Sequence, residues 1–530
     1  MLNRKAKREE KKLWDEDITK IRLKQSKKKA FVLCTIILFC FSVIVIRLVD
    51  LMVFDHETLT QKADRQYLGI KTLSPQRGLI WDREMRPLSV NIETESLYAV
   101  PSKINDIKRL SYNLAPIIKV SEKRLSNKLL EKKDKDFIWV GRRLDEKTVQ
   151  KINSLQQKFK FQEELGFLPE TKRQYPNGQL ASHLLGFTNI DNEGIDGIEL
   201  RYNKEISGSI KKVYHNRDAR GNSLLDNIEE SIPGNNLMLT IDEGLQHIVE
   251  KEIENAMVAW QAEAVVAIMM EPSTGKILAM ANRPTYDPNS VGSVQADERR
   301  NRAITDNYEP GSTFKTILAS AAIEEKIVSL NEKFDVSKGF IKVPGGIIRD
   351  AHRHGVLTFK EVIQKSSNVG ASQIALRLGK ERFYNYIKKF GFGEKTGIDL
   401  PGEAKGLVRK TEKWSGRSLP SIAIGQEISV TPLQLLRAYS AIANGGKLMK
   451  PYIVSGIISH EGEIIKSFSP EVEKQVVSET TAKTMRDILK TVVEEGGTAQ
   501  KASVTGDMVA GKTGTAQMVD PKTGLYSKND

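Results

Sequence analysis

Three short polar motifs in the second half of the sequence contain the residue types of a serine acyl-transfer site. The first begins at Ser312 and reaches Lys315 at the start of an apolar helical pattern. On a helix, residues i and i+3 share a face, with Cβ atoms about 5–6 Å apart, so these side chains can meet. A serine hydroxyl needs a neighbouring base to become nucleophilic, and a lysine kept neutral by desolvation can be that base. Ser312 and Lys315 are therefore candidates for nucleophile and base.

The other two motifs could complete such a site. Ser366-Ser367-Asn368 lies between two helical patterns, and a helix cap needs only one of these side chains. The remaining groups could relay a proton and bind a substrate amide. Lys512-Thr513-Gly514-Thr515 lies in a strand pattern that runs from 508 to 519. Alternation along a strand would place Lys512 and Gly514 on one face, a cation beside a bare backbone that substrate can approach closely.

Each motif alone is weak evidence because its spacing recurs in the chain. Other Ser-x-x-Lys pairs begin at Ser26, Ser209 and Ser273, and Lys-Thr-Gly also begins at Lys395 and Lys522. The ordered set is much more specific, since Ser-x-x-Lys, Ser-x-Asn and Lys-Thr-Gly are used together by penicillin-binding proteins and serine β-lactamases. Nucleophile-elbow, zinc-protease and phosphate-loop motifs do not occur. His352 and His354 alternate in a polar segment without a further ligand cluster, so we predict no metal site.

The net charge is concentrated at the N-terminus. The 530 residues carry a formal charge of +14, and residues 1–29 hold twelve Lys and Arg against five Asp and Glu. The remaining +7 (14 minus 7) includes no compact basic run interleaved with aromatic residues, so we predict no nucleic-acid binding. Both cysteines, Cys34 and Cys40, lie in the apolar stretch that follows, so disulfide and thiol chemistry are excluded from the rest of the chain.

Residues 30–54 are the predicted transmembrane segment. Residues 30–46 carry no charge, and the apolar run resumes after Arg47 and Asp50 to end at Phe54. A bilayer core needs about twenty helical residues, and Arg47 can extend its charge to the interface. Basic residues are concentrated before the segment, which predicts an uncleaved single-pass anchor in the inner (cytoplasmic) membrane. The tail 1–29 would be cytoplasmic and the catalytic part would lie on the outer or periplasmic side.

Residue 233 is the predicted boundary between two outward regions. Residues 55–232 mix short apolar runs with turn-rich segments, which is typical of an elongated α+β pedestal. Beyond Pro233-Gly234, strand patterns at 237–241, 263–270 and 276–281 are followed by helical patterns up to residue 500 and then by the last strand pattern. We therefore predict for residues 233–530 an α/β (α+β) fold, with a mainly antiparallel sheet and helical layers.

The sequence resembles the class B penicillin-binding proteins over nearly its whole length. The resemblance rests on the three motifs and on other characteristic segments, such as residues 77–83, 173–176, 283–289 and 425–434. Residues 186–191, 366–372 and 512–517 are most similar to the cell-division members, with the elongation members second. The resemblance implies a serine transpeptidase fold without cofactors, a dimerisation-type pedestal over 55–232 and a penicillin-binding transpeptidase domain over 233–530. It also implies septal cell-wall synthesis with a glycan-polymerising membrane partner of the FtsW type and other division proteins.

Carried over to this sequence, the resemblance implies a role for each candidate residue. Ser312 would attack the D-Ala-D-Ala carbonyl of a donor stem peptide while Lys315 takes its proton, and an amine of a second stem peptide would then resolve the ester. Ser366 would relay a proton and Asn368 would bind a substrate amide. The donor carboxylate would be held beside Gly514 by Lys512, Thr513 and Thr515. β-Lactams would acylate Ser312, and D-Ala-D-Ala carboxypeptidase activity would be a side reaction.

Three alternative functions remain open from the sequence alone. They are an elongation-type transpeptidase, a β-lactam-hydrolysing or β-lactam-sensing enzyme that uses the same serine, and a noncatalytic division scaffold. The sequence ends at Asp530, sixteen residues after Gly514, whereas the family continues with further strands and a helix. We therefore expect this sequence to be part of a longer protein, with an incomplete sheet.

Overall fold

A computed structural model describes residues 75–209 and 232–516, the backbone of residues 68–72 and 212–216, and five helical residues between 39 and 45. The predicted tail 1–29 lies outside the described residues, as does the predicted membrane segment 30–54 apart from those five positions. None of the helices in the described ranges has the length and apolar character needed to cross a bilayer. The membrane anchor therefore stays a prediction.

Helices and strands alternate irregularly along the described ranges. The helices are α1 Ile107–Leu114, α2 Glu122–Glu131, α3 Glu146–Phe159, α4 Ser182–Leu185, α5 Gly197–Arg201, α6 Asn203–Ile206, α7 Glu243–Trp260, α8 Arg302–Thr305, α9 Lys315–Glu324, α10 Phe359–Gln364, α11 Asn368–Leu378, α12 Lys380–Lys389, α13 Ser418–Ala423, α14 Pro432–Ala443 and α15 Glu479–Val493. Short 3₁₀ helices are Pro101–Lys103, Val291–Ser293, Gly311–Phe314, Thr411–Lys413 and Gln500–Ala502. The strands are β1 Leu68–Thr72, β2 Ile80–Trp81, β3 Pro87–Ala99, β4 Ile138–Leu144, β5 Leu165–Gln174, β6 Lys212–Asn216, β7 Asn236–Leu239, β8 Val265–Met270, β9 Ile277–Arg283, β10 Lys333–Asp335, β11 Phe340–Val343, β12 Gly346–Arg349, β13 Val356–Thr358, β14 Lys447–Met449, β15 Val454–Ile458, β16 Ile464–Ser467 and β17 Val472–Gln475.

One mixed sheet crosses the predicted boundary at residue 233. Its strands follow the order β16-β15-β7-β2-β3-β4, and β5 also pairs with β3. The pairs are antiparallel except β2 with β7, where Ile80 is opposite Leu237 in a parallel register. The described residues 75–209 and 232–516 accordingly belong to one compact unit. The antiparallel pair β1–β6 belongs to a second unit.

Helix α9, which begins with Lys315, lies at the centre of the largest apolar core. Every residue from Lys315 to Ala322 is buried, so the helix is enclosed on all sides instead of being amphipathic. It contacts α10, α11, α12 and α15, and Phe314 at its entry stacks edge-on against Phe383 and Phe392. Close-packed interiors hold side chains in fixed rotamers, so this helix is a rigid base for the residues of its first turn.

The described part of the predicted pedestal region contains a buried cluster of charges that we call the Glu199 cluster: Glu199, Arg77 and Arg173. Arg77 Nε lies 2.5 Å from Glu199 Oε2, and Arg173 Nε lies 2.6 Å from Glu199 Oε1. Burial by itself would raise the pKa of Glu199, but the two guanidinium groups outweigh it and the pKa is lowered. The cluster therefore joins β5 and α5 to the segment before β2 through a carboxylate that stays charged.

Several local predictions agree with the structure, and one group of strands was not predicted. Asp242 caps α7 by accepting a hydrogen bond from the backbone N–H of Leu245, and β8 and β9 form the predicted antiparallel hairpin. Helices predominate up to residue 500 as predicted, but the short strands β10–β13 and β14–β17 interrupt them. These strands have only three to five residues, which is too short for alternation to be recognised in sequence.

Candidate active site

Ser312 lies in the 3₁₀ turn that runs directly into α9. Gly311 has φ +56°, and a Cβ at this position would lie 2.3 Å from the carbonyl oxygen of Thr515. Gly514 makes a reciprocal approach, since a Cβ there would lie 2.9 Å from the carbonyl oxygen of Pro310. Only glycine permits such contacts between two backbones. The first and third motifs are therefore packed directly against each other beside Ser312.

Lys315 is completely buried at the first turn of α9. Its Nζ donates hydrogen bonds to the carbonyl oxygen of Ser366 and to Asn368 Oδ1, both at 2.6 Å, and lies 3.2 Å from Ser366 Oγ. Burial lowers the pKa of Lys315 well below its ordinary value, the nearby charge of Lys512 lowers it further, and Asp350 opposes the shift. The three oxygens around Nζ are neutral and supply no counter-charge to offset burial, so burial and Lys512 together favour an uncharged amine.

Ser312 and Lys315 are close in sequence, but no hydrogen bond joins their side chains in the described part of the chain. Ser312 Oγ is without any hydrogen bond there and lines a cavity, whereas Lys315 is oriented towards the Ser366 loop. Catalytic hydrogen bonds are often long before substrate binds. The arrangement leaves the hydroxyl accessible and the amine anchored.

Ser366 connects the two lysines of the site. The residue lies between α10 and α11. Its φ of +58° is a left-handed backbone conformation that is costly for any residue other than glycine. Its Oγ is 3.2 Å from Lys315 Nζ and accepts a hydrogen bond from Lys512 Nζ at 2.9 Å. One hydroxyl thus bridges two amines, which is the geometry of a proton relay. Burial lowers the pKa of Lys512 to about 8.

Asp350 fixes the Ser367-Asn368 end of the second motif, and the sequence analysis did not predict this role. Its carboxylate accepts hydrogen bonds from Ser367 Oγ at 2.8 Å, from the backbone N–H of Val369 at 3.0 Å and from the backbone N–H of Asn368. Asn368 Nδ2 donates to the carbonyl oxygen of Arg349 at 2.8 Å, which leaves Oδ1 facing Lys315. The unpaired N–H groups at the start of α11 were the only sequence signal for such an acceptor.

Lys512, Thr513, Gly514 and Thr515 reach the site as irregular backbone. The predicted strand 508–519 is wrong over residues 508–516, where the structure has no strand, and residues 517–519 lie outside the described residues. The physical reason is that no neighbouring strand forms a backbone hydrogen-bond ladder with this segment in the described residues. Its backbone donates one hydrogen bond to the rest of the described chain, from the N–H of Gly511 to the carbonyl oxygen of Leu489. Thr513 Oγ1 lies 2.9 Å from Thr498 Oγ1, a second contact that sequence did not reveal.

A cavity of about 280 Å³ collects these groups. Its walls come from all three motifs and from three further segments: Ser312, Asp350, Ala351, His352, His354, Lys365, Ser366, Ser367, Asn368, Ile424, Gln426, Thr498, Thr513, Gly514 and Thr515. Lys315 and Lys512 are linked to the cavity wall by their contacts with Ser366 Oγ. The structure therefore brings together every residue that the sequence proposed for the site.

Known families match almost the whole of the described chain. The Penicillin binding protein transpeptidase domain matches residues 265–530, and the Penicillin-binding Protein dimerisation domain matches residues 72–239. Stage V sporulation protein D of Bacillus subtilis is 37% identical over 482 residues, which cover 89% of this chain and 73% of that protein. The chain belongs to the class B penicillin-binding proteins.

Other penicillin-binding proteins support the same assignment. Peptidoglycan D,D-transpeptidase FtsI of Escherichia coli K12 is 32% identical over 495 residues, 92% of this chain and 81% of that protein. Penicillin binding protein 3 of Mycobacterium tuberculosis, solved with ampicillin, superposes with a TM-score of 0.66 at 30% identity, over 87% of this chain and 84% of that one. The predicted family, transpeptidase chemistry and fold of mixed sheet and helices are confirmed. The individual roles of the site residues stay predictions.

One more group positions the candidate nucleophile of this penicillin-binding protein. Tyr439 on α14 donates a hydrogen bond at 2.7 Å to the carbonyl oxygen of Thr313. Its oxygen also lies 2.8 Å from Thr316 Oγ1, which must then be the donor of that contact. The chain of two hydrogen bonds fixes the backbone between Ser312 and Lys315. Sequence could not reveal it, because the partners are more than 120 residues apart.

Proposed function

We propose that Ser312 is the acylated nucleophile of a peptidoglycan D,D-transpeptidase and that Lys315 is its general base. The observation that carries the proposal is the environment of Lys315, whose complete burial and neighbouring Lys512 lower its pKa well below the ordinary value. A lysine whose amine is free of its proton at neutral pH can accept the proton of a serine hydroxyl.

The proposed reaction assigns a step to each group in the cavity. Ser312 Oγ attacks the carbonyl of the penultimate D-Ala of a donor peptide and transfers its proton to Lys315. The tetrahedral intermediate breaks the peptide bond, and the leaving D-Ala amine receives a proton through Ser366. Lys512, Thr513 and Thr515 hold the donor carboxylate, and the backbone N–H groups of Ser312 and Thr515 stabilise the oxyanion. An amine of a second stem peptide then attacks the ester.

Labelled penicillin tests the assignment of the nucleophile. β-Lactams resemble the donor peptide, and the relatives include a protein solved in complexes with aztreonam and with ampicillin. We expect the wild-type protein to form a lasting adduct and the Ser312→Ala variant to form none. Ser320→Ala is the matched control, because Ser320 is buried in the same helix and donates only to the carbonyl oxygen of Thr316. Equal labelling of Ser312→Ala would refute the assignment, and rapid release of hydrolysed penicillin would favour a β-lactamase.

The cellular role that we propose is septal cell-wall synthesis by a membrane-anchored enzyme. The relatives that support it include FtsI of Escherichia coli and a sporulation protein of Bacillus subtilis. The basic tail 1–29 before the apolar segment 30–54 supports a single-pass anchor, with a glycan-polymerising partner of the FtsW type in the same membrane. A fluorescent fusion should be enriched at midcell in dividing cells. Labelling along the side walls alone would favour the elongation role, and labelling confined to spore formation would favour a sporulation enzyme.

A further inference from the structure

One wall of the active-site cavity carries polar groups that the proposed reaction does not use. His352 and His354 lie in the loop after β12, and Lys365 immediately precedes the second motif. All three line the same cavity as Ser312. The described residues hold no group of three or more His, Cys, Asp or Glu side chains suited to a metal ion, so these imidazoles are not explained as ligands.

The charge balance of this wall favours an anion. Asp350 is the one carboxylate among the lining residues, and its oxygens are already occupied by Ser367 and by two backbone N–H groups at the start of α11. Those N–H groups stabilise the negative charge of Asp350 at the helix N-terminus and occupy its acceptor oxygens. Lys365 Nζ donates one hydrogen bond, to the carbonyl oxygen of Gly496 at 2.7 Å, and a lysine ammonium has further N–H donors to offer. The wall therefore offers donors without a free acceptor carboxylate.

We propose that His352, His354 and Lys365 form a carboxylate-binding subsite for the acceptor stem peptide. The subsite would select acceptors in which the attacking amine and a free carboxylate are borne on the same carbon. This inference rests on the proposed function, which already assigns the donor carboxylate to Lys512, Thr513 and Thr515. The acceptor carboxylate is a second anion, which arrives after D-Ala has left.

The proposed subsite and the candidate nucleophile belong to the same cavity. His352, His354 and Ser312 all line a cavity of about 280 Å³, so a carboxylate bound by the histidines would share that cavity with the ester on Ser312. The acceptor amine forms a C–N bond to that carbonyl, the C–O bond to Ser312 breaks, and the proton released by the amine returns to Ser312 Oγ through Lys315. Fixing the carboxylate orients the amine for this attack and so favours transfer over hydrolysis.

The partition of an acyl-enzyme between two acceptors tests the subsite. The purified protein is acylated with a thioester analogue of the donor peptide and offered either D-methionine or D-methionine amide, which differ only in the carboxylate. We expect the wild type to transfer to D-methionine at least about tenfold faster than to the amide, as for hydrogen bonds to a charged group. In the double variant His352→Ala/His354→Ala this ratio should fall towards one.

The ratio of two acceptors within one variant is independent of how much enzyme is folded. His460→Ala is the matched control, because His460 is an exposed histidine in the turn between β15 and β16, and it should keep the wild-type ratio. If the double variant forms no acyl-enzyme, the single variants His352→Asn and His354→Asn are measured, and each should lower the ratio. A wild-type ratio near one, or an undiminished ratio in the variants, would overturn the subsite alone. A wild-type protein that forms no acyl-enzyme would overturn the proposed function and the subsite with it.

Discussion

The pedestal region and the active site both bury cations, but the two clusters are neutralised in different ways. In the Glu199 cluster, two guanidinium groups share one fully buried carboxylate and are hydrogen-bonded to it. In the active site, Lys315 and Lys512 share the hydroxyl of Ser366, and no carboxylate is in contact with either amine in the described residues. The first arrangement keeps its charges, whereas the second favours loss of a proton from an amine.

The difference shows how one chain separates stability from reactivity. Arginine keeps its charge under almost all conditions, so a buried Arg–Glu–Arg group fixes geometry across distant segments. A lysine changes protonation when it is buried without a counter-charge, which makes it useful as a base and costly to the fold. Substitutions in the two clusters should therefore affect different measurements.

The largest effect is expected for Lys315→Met. Removal of the base should lower the rate of acylation by penicillin by about 10²–10⁴-fold, the usual contribution of general base catalysis. The free energy of unfolding should fall by less than the about 3–5 kcal/mol of a broken buried ion pair, because the variant loses two hydrogen bonds but replaces a buried amine without a counter-charge by an apolar chain of similar length. Stopped-flow acylation and urea unfolding measure the two effects. A stability loss as large as that of a broken ion pair would contradict the neutral state of Lys315.

Glu199→Gln should have the opposite effect, a large loss of stability with little change in acylation. It leaves two buried guanidinium groups without their carboxylate, which typically costs about 3–5 kcal/mol of stability. Urea unfolding should show this loss, while the folded fraction is still acylated by penicillin. Glu163→Gln is the control in the same region, because Glu163 is exposed and should change stability little. An unfolding free energy of Glu199→Gln equal to that of the control would argue against a structural role for the cluster.

Asp350→Asn should give an intermediate effect on both measurements. The variant keeps the shape of the side chain but removes the charge that accepts three hydrogen bonds from Ser367, Asn368 and Val369. We expect a loss of about 1 kcal/mol in stability, as for other helix caps, and about a tenfold slower acylation because Asn368 is less well fixed. Asp335→Asn is the control, since the carboxylate of Asp335, at the exposed end of β10, accepts hydrogen bonds only from Ser337 among the described residues. An unchanged rate of acylation would show that Asp350 does not contribute to the reactivity of the site.

The smallest effect is expected in the pH dependence of stability. Lys512 has a pKa of about 8 in the folded protein and an ordinary value of 10.5 when exposed, so the unfolded state binds more protons between these values. The free energy of unfolding should therefore rise with pH from about 8 towards 10.5, by the linkage of proton binding to folding. Lys512→Met should lack this contribution. Urea unfolding of both proteins at pH 8 and 9.5 would measure the difference, and parallel pH profiles would exclude a shifted Lys512.

Sequence predicted the elements whose signals are local. The cap at Asp242, the hairpin of β8 and β9, and the helices that flank Ser366 all follow from patterns within about twenty residues. The predicted strand 508–519 was wrong over its described part because alternation indicates a strand only if a partner is present to form the ladder. The sheet across residue 233 was not predicted, since β2 and β7 pair in parallel across more than 150 residues.

The candidate site was predicted by residue type, but its supporting contacts were not. Ser312, Lys315, Asn368 and Lys512 were identified by motif, and the structure places them around one cavity. No motif in the sequence marks Asp350, Thr498 or Tyr439 as part of the site. Their roles come from tertiary contacts with residues 15 to more than 120 positions away, which no local pattern records.

The pH dependence of acylation of the wild-type protein tests the neutral state of Lys315 most directly. If burial and Lys512 lower the pKa of Lys315 as the structure indicates, the rate should stop rising with pH well below 10.5, the ordinary value for lysine. It should then decline as Lys512, with a pKa of about 8, loses the charge that holds the donor carboxylate. A rate that keeps rising up to pH 10.5 would show that Lys315 is an ordinary charged lysine and is not the base.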